Sequence, residues 1–374
     1  MSLQVSYKKQ FLVFIIIISL TLLITESLVR VTDVELFCKF ESSPLYDEYD
    51  FFSKRQICSD YRNLQYDNSQ PFKQFNPSQN FEYIKINSDG FRGSEISQKS
   101  IETYRIFILG GSTTFGIVSS SDQTTISGYL QKYFDDDEYN FVEIINAGVT
   151  GANSRDEYFN LKTNILEFDP DMIIFYDGWN DITSRTTFMH LSDEEYATKP
   201  QAETIQVNKI ESNGTGILKL FEKINYQTGI KFGAYIKSLI SVEEYGVDTE
   251  RINSFSKHNW MNVCSLGLSN NFSTVIVLQP MLGTSDRELS HHENSIKKGT
   301  FEKNNLQYMK DFDFYSSELI ETCSLMIDMR NGFDGVNEPV FWDYGHTSDF
   351  GNQIIAKKMF EKVLPIVIND KFFK

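Results

Sequence analysis

The stretch Arg105-Ile-Phe-Ile-Leu-Gly-Gly-Ser-Thr-Thr-Phe-Gly116 joins a short apolar run to a glycine-rich turn. Such a run is typical of a buried parallel strand, and the glycines allow a sharp turn without a Cβ clash. The turn matches neither the G-x-G-x-x-G of dinucleotide sites nor the G-x-S-x-G of α/β-hydrolases. In open α/β sheets, sites form at the carboxyl ends of the strands. We therefore expect Ser112 to present its hydroxyl at that edge.

Other short apolar runs alternate with helical patterns at the spacing of βαβ units. The predicted strands are residues 105–109, 141–146, 172–176, 274–279 and 325–328. Helix starts are predicted at Asp122, which precedes Ile126, and at Ser154, which with Glu157 would form a capping box. The pattern predicts one α/β domain, a three-layer α/β/α arrangement around a parallel sheet.

The composition excludes one class of partner. The 374 residues are 41% hydrophobic and carry a formal net charge of −16, so a large core is possible but polyphosphate is repelled. Nucleic acid binding requires clustered Lys and Arg, which are absent from the sequence.

The N-terminal residues 1–35 form a membrane-targeting segment. An apolar run from Phe11 to Ile24 follows Lys8 and Lys9, and no small-x-small cleavage site comes after it. We expect an uncleaved transmembrane helix with the N-terminus in the cytoplasm and the rest of the chain outside, by the positive-inside rule. Secretion after signal cleavage is the alternative.

The remainder divides into two parts. Residues 36–100 lack sustained periodicity and are expected to form an extended approach segment packed on the domain. Residues 101–374 are the domain itself, with a largely helical insert at about 183–272 that is too long for a simple crossover.

Four cysteines lie in a chain expected to reach an oxidising compartment. Cys38 with Cys58 and Cys264 with Cys323 are conceivable disulfides, and four buried free thiols are the competing interpretation.

A second motif, Trp342-Asp-Tyr-Gly-His346, precedes the last predicted helix. His346 is three positions after Asp343, so one turn can bring the carboxylate to imidazole Nδ1 and leave Nε2 free to accept a serine proton. In isolation the motif also fits a surface turn with a helix cap.

Two more motifs follow the second and third predicted strands. Asn146-Ala-Gly-Val-Thr-Gly151 offers the Gly151 N–H, and Gly178-Trp-Asn-Asp181 offers the Asn180 amide. Together with the Ser112 N–H, these donors would suit an oxyanion. Alternatively, Gly151 only relieves a turn and Asn180 caps a helix; Gly148 competes with Gly151 for the donor role.

Several other polar and aromatic residues fit structural roles better than catalytic or metal-binding ones. His291 and His292 lack a matching array of metal ligands. Asp177 and Asp181 could serve a two-carboxylate glycosidase, but that would leave Ser112 and His346 unexplained. Asp349 is a rival orienter of His346, and more typical of a helix cap. Trp179, Trp260 and Trp342 suit a core or a pocket wall.

In chain order, the four motifs are the Gly-Gly-Ser turn at Ser112, the Gly151 loop, Gly178-Trp-Asn-Asp181 and Asp343-x-x-His346. They resemble the signature blocks of the SGNH/GDSL hydrolase superfamily over residues 105–368. The resemblance implies a flavodoxin-like fold. It implies Ser112 as nucleophile, His346 as base, Asp343 as its orienter, and Ser112, Gly151 and Asn180 as oxyanion donors. The first block reads Gly-Gly-Ser-Thr where the family name implies Gly-Asp-Ser-Leu; the missing Asp is not a triad residue.

We therefore expect a serine esterase that needs no metal or organic cofactor and hydrolyses acyl esters, acetyl foremost. By family analogy its substrates would be small O-acylated molecules or glycans of the cell envelope or exterior. An O-acetyltransferase with the same triad is one alternative, and a non-catalytic glycan- or partner-binding surface protein is another.

Overall fold

A computed structural model describes residues 6–31, 43–67, 72, 74–183, 191–198, 249–296 and 300–373, which fall in two units. The first unit contributes helix α1 (Tyr7–Val31). Its segment Tyr7–Thr25 has a mean hydropathy of 1.9 and is long enough to cross a membrane. A signal sequence has the same character, so α1 fits both predicted alternatives.

The second unit begins with a segment that is less extended than predicted. Helix α2 (Phe51–Asn63) starts at Asp50, whose carboxylate accepts hydrogen bonds from the Phe52 and Ser53 amides. Four two-residue strands follow in antiparallel pairs: β1 (Tyr66–Asp67), β2 (Gln74–Phe75), β3 (Gln79–Asn80) and β4 (Lys85–Ile86).

A five-stranded parallel sheet forms the centre of the second unit. Its strands are β5 (Tyr104–Gly110), β6 (Val142–Gly148), β7 (Met172–Asp177), β8 (Ser273–Leu278) and β9 (Leu325–Asp328). Their order in the sheet is β6-β5-β7-β8-β9, which confirms the predicted strands and the α/β fold. The register places Gly110 between Gly148 and Tyr176, so the predicted motifs emerge at one edge.

Helices connect and cover these strands. In chain order they are α3 (Ser112–Phe115), α4 (Ile126–Asp136), α5 (Ser154–Thr163), α6 (Trp179–Thr183), α7 (Asp193–Thr198), α8 (Thr249–Asn270), α9 (His291–Ile296), α10 (Thr300–Asp311), α11 (Ser317–Thr322) and α12 (Asp349–Phe373).

Alternate side chains of β5 enter two separate apolar layers. Ile106 and Ile108 pack in the layer that contains residues of α4 and α12, whereas Phe107 and Leu109 pack in the layer that contains Trp260 of α8. Alternation of this kind follows from the two-residue period of a strand, and it produces the predicted α/β/α arrangement.

The predicted helix starts are each displaced. Asn153 and Asp156, not Ser154 and Glu157, form the capping box of α5. The cap lies one residue earlier than predicted, and Glu157 is buried, only 3% exposed. Asp122 opens a 3-10 turn instead of α4, whose cap is the Thr125 hydroxyl, bonded to the Gly128 amide.

A disulfide joins Cys264 of α8 to Cys323, just before β9. This is one of the two conceivable pairs. Cys38, needed for the other pair, lies outside the described residues. Of the predicted insert, the described residues 191–198 and 249–272 contain α7 and α8, and the rest lies outside the described part.

Candidate active site

The turn that carries Ser112 is closely packed around two glycines. A Cβ on Gly110 would lie 2.7 Å from the Tyr176 carbonyl oxygen, and one on Gly111 would lie 1.8 Å from Asn180 Nδ2. Both distances are far shorter than ordinary carbon contacts. The second glycine therefore lets the Asn180 amide lie directly against the backbone that precedes Ser112.

The imidazole of His346 lies between the side chains of Ser112 and Asp343. His346 Nε2 is 2.7 Å from Ser112 Oγ, and His346 Nδ1 is 2.8 Å from Asp343 Oδ2. When the carboxylate accepts a hydrogen bond from Nδ1–H, Nε2 is left able to accept the hydroxyl proton. The geometry is that of a nucleophile, a base and an orienter in line.

The loop around Asp343 favours its charged form. Burial raises the pKa of the Asp343 carboxyl, but the charge and hydrogen bond of His346, with bonds from the backbone amides of His346 and Gly345, outweigh it and lower the pKa to about 2. Asp343 is therefore a carboxylate at every pH where a histidine base is useful.

Asp349, the rival orienter, has another partner. Its two carboxylate oxygens accept hydrogen bonds from the backbone amide and the hydroxyl of Ser120. Asp349 is also the first residue of α12, where a negative charge is favoured by the helix dipole. Its contacts thus tie α12 to the loop after α3.

Three predicted donors lie around the serine turn. Ser112 is the first residue of α3, so its N–H has no acceptor within the helix. Asn180 Nδ2 donates to the Ala152 carbonyl, which leaves its second hydrogen available beside Gly111. The loop of Ala152 also contains Gly151, whose φ of 75° is in the left-handed region.

Gly148, the competing glycine, has a different setting. Its N–H donates to Asn146 Oδ1 at 3.0 Å, and a Cβ there would lie 2.2 Å from the Phe115 backbone nitrogen. Gly148 is thus a packing glycine beneath α3. Among the described residues, we find no acceptor for the Gly151 N–H.

A buried group of three acids lies beneath the Asn180 turn. We name Glu157, Asp177 and Asp181 the acid trio; each is at most 3% exposed. Asp177 accepts from Trp260 Nε1 at 2.9 Å, and Asp181 accepts from the Ser154 amide and the Ser256 hydroxyl. Such buried carboxyls are out of reach of substrate, which removes the two-carboxylate alternative.

Burial raises the pKa of each member of the acid trio. It raises the pKa of Glu157 and of Asp181, and it raises that of Asp177, with help from the neighbouring Asp181 charge, to about 8. Because Asp181 also holds the first amide of α5, the trio links α5 to the Asn180 turn.

The acid trio should make stability fall with rising pH. The folded state keeps a proton on Asp177 that the unfolded chain releases near pH 4, so the free energy of unfolding should decline from about pH 4 to about pH 8. Denaturation midpoints measured across this range should fall less steeply for Asp177→Asn, which does not ionise. Asp136→Asn, an exposed change beside Lys132, is the control, and equal slopes for wild type and Asp177→Asn would contradict the expectation.

The remaining predicted residues take mixed positions. Trp260 is fully buried in the core, whereas Trp179 and Trp342 are half-buried. The Trp342 ring centroid is 6.4 Å from that of His346. His291 is exposed and His292 half-buried. In the part of the chain that the structure describes, no group of three or more His, Cys, Asp or Glu side chains could hold a metal ion.

Sequence reasoning missed two supports of the site. Arg92 donates hydrogen bonds to the Phe115 and Gly116 carbonyls at the end of α3. Glu293 is fully buried, is paired with Arg287 and accepts from the Val340 and Phe341 amides, so it holds the chain leading to Asp343. The nearest sequence signals are the turn-forming run Asn87-Ser-Asp-Gly-Phe-Arg-Gly93, which contains Arg92, and the pair His291 and His292 just before Glu293.

Comparison with known proteins gives one match to a family. Residues 106–359 match the GDSL-like lipase/acylhydrolase family. No curated protein matches the sequence.

Several solved structures are similar in fold. One is an acetyl xylan esterase with 16% identity, covering 69% of this chain and 99% of its own, with a TM-score of 0.40. An acetylxylan esterase from Geobacillus stearothermophilus has 13% identity, coverage of 72% and 95%, and a TM-score of 0.38. A lipolytic protein of the G-D-S-L family from Desulfitobacterium hafniense has 12% identity, coverage of 69% and 99%, and a TM-score of 0.36.

Proposed function

The chain belongs to the GDSL-like lipase/acylhydrolase family and is a carboxylic ester hydrolase, and on that premise we propose that Ser112, His346 and Asp343 are its catalytic triad. The observation that carries this proposal is the 2.7 Å distance between Ser112 Oγ and His346 Nε2, within the matched residues. Asp343 supports it from the other side of the imidazole.

The reaction then proceeds as an acyl transfer through the serine. His346 Nε2 accepts the hydroxyl proton while Ser112 Oγ attacks the ester carbonyl, and the same proton passes to the departing alcohol. Water then attacks the acyl-serine carbonyl as His346 Nε2 accepts its proton. The bond from the acyl carbon to Ser112 Oγ breaks, the proton returns to Ser112 Oγ, and the carboxylic acid leaves. The Ser112 and Gly151 amides and the Asn180 side chain would bind the oxyanion in both steps, and loss of one such donor typically costs about 10² to 10³ in rate.

We propose that the acyl group is small, acetyl foremost, and that the alcohol is a sugar of an envelope or extracellular glycan. The half-buried Trp342 supports a sugar, because its ring lies beside His346 and offers a flat apolar surface. The net charge of −16 favours neutral sugars over polyanions.

Covalent labelling tests the proposed function. The full-length protein in detergent should react with a fluorophosphonate at Ser112, located by peptide mass, and should cleave aryl acetate faster than long-chain aryl esters. Heat-denatured protein is the control. If the folded protein shows neither labelling nor hydrolysis, the triad proposal is wrong. Acetylated product from an added oligosaccharide would indicate transfer in place of hydrolysis.

We propose that α1 remains as an anchor, with the cytoplasm at its N-terminus and the hydrolase unit outside. The apolar length of Tyr7–Thr25 supports an anchor, and Lys8 and Lys9 support this direction. In expressing cells, the labelled protein should therefore stay in the membrane fraction with an intact N-terminal peptide. A trimmed, released product would indicate a signal sequence.

A further inference from the structure

Arg92 is a buried cation at the end of the helix that begins with Ser112. The residue is 4% exposed, and Nε pairs with Asp122 Oδ1 at 2.8 Å. Nη1 donates to the carbonyls of Phe115 and Gly116, each at 2.9 Å. The guanidinium also lies 4.9 Å from the centre of the Phe115 ring. These contacts satisfy carbonyls that a helix end leaves open.

The two carbonyls belong to residues about one helical turn after Gly111 and Ser112. The Phe115 amide donates to the Gly111 carbonyl, and the Gly116 amide donates to the Ser112 carbonyl. Arg92 therefore binds the carbonyls of the same two residues, Phe115 and Gly116, whose amides close the turn around Ser112. A shift of those carbonyls would move the Ser112 backbone with them.

The backbone of Arg92 is itself held on the sheet. Its amide donates to the Asn146 carbonyl of β6 at 3.2 Å, and Asn146 Nδ2 donates to the Thr114 carbonyl at 2.9 Å. Tyr61 adds a second contact from the same N-terminal part, because its hydroxyl bonds the Gly116 carbonyl. The guanidinium thus acts from a fixed point at the sheet edge.

We propose that Arg92 is a positioning residue for the nucleophile: it holds Ser112 Oγ at the distance from His346 that proton transfer requires. This inference rests on the proposed function of Ser112. It also places residues ahead of Ile106, where the family match begins, within the working enzyme. Errors of about 1 Å in such positions can cost about 10² in rate.

Arg105 provides a matched control. It is 3% exposed, pairs with Glu143 and donates to the carbonyls of Phe168 and Ser97. Its partners are therefore of the same kind as those of Arg92. It lies, however, near the amino end of β5, at the opposite edge of the sheet from Ser112.

The experiment compares Arg92→Met with Arg105→Met in the full-length protein. Both should lower the melting temperature, since each leaves buried carbonyls and a carboxylate without their donor. Only Arg92→Met should lower kcat and the fluorophosphonate labelling rate per folded molecule, by about 10- to 100-fold with KM nearly unchanged. Equal rates per folded molecule in both variants would overturn the inference.

Two further variants keep the test decisive if Arg92→Met folds poorly. Arg92→Lys keeps the charge but cannot reach both carbonyls and Asp122 with a planar fork, so an intermediate kcat is expected. Arg92→Ala should recover rate with added guanidinium but not with ammonium at the same ionic strength. Full activity of Arg92→Lys without the fork, or no difference between the two cations, would contradict positioning. An inactive wild type would instead refute the esterase proposal.

Discussion

Replacing Ser112 by alanine should lower kcat for ester hydrolysis by a factor on the order of 10⁴ to 10⁶. In the proposed mechanism the hydroxyl forms the acyl intermediate, and the proposed oxyanion donors alone would retain only a small rate above that in water. The protein should still fold, because the change removes one oxygen from a residue that is 8% exposed. Initial rates with aryl acetate, with fluorophosphonate labelling of the same samples, measure the loss.

Ser127→Ala is the matched control for this change. Ser127 is a buried serine on α4 whose hydroxyl has no hydrogen-bond partner among the described residues. Its removal should leave both rates unchanged. Should Ser112→Ala retain a tenth or more of the wild-type rate, the nucleophile would have to be sought elsewhere.

Asp343→Asn should lower kcat by about 10⁴. The amide has nearly the shape of the carboxylate, but it can offer its NH2 to His346 Nδ1 and so favour the tautomer with the proton on Nε2. That tautomer cannot accept the Ser112 proton. The imidazolium formed during catalysis would also lose the carboxylate charge 2.8 Å away.

The pH dependence of activity and a control variant test whether Asp343 or Asp349 is the partner of His346. With a pKa of about 2, Asp343 stays charged throughout the assay range, so its own titration does not change wild-type activity within that range. Asp349→Asn is the control, since Asp349 bonds Ser120 and not the imidazole, and its kcat should remain near wild type. A large loss in Asp349→Asn with none in Asp343→Asn would reverse the assignment.

The strands were predictable because they are short, mostly apolar runs, and β5, β7 and β8 are buried along their whole length. Residues 172–176, for example, have no other plausible environment, and β7 differs from them by one residue. Glycine-rich turns after such strands then bring Ser112, Asn180 and Gly151 to one edge by topology alone. Parallel order, rather than any one motif, carried this prediction.

Local signals were weaker where several residues of one chemistry compete. Asn153, Ser154, Asp156 and Glu157 can all cap a helix, and the sequence does not reveal that the interior needs Glu157. Helix α2 escaped prediction because its burial comes from contacts with the distant nucleophile loop, as the bond from Tyr61 to Gly116 shows. The contacts of Arg92 are likewise set by tertiary structure and leave no local pattern.

The acid trio makes the stability of the turn that carries Asn180 depend on pH. A rise in pH above about 8 removes the proton from Asp177, and the new charge is buried beside Asp181 and Glu157 beneath Asn180. We therefore expect the turn that carries Asn180 to lose stability at alkaline pH. A substitution at one buried carboxyl should therefore change both the pH range over which the enzyme works and its resistance to heat.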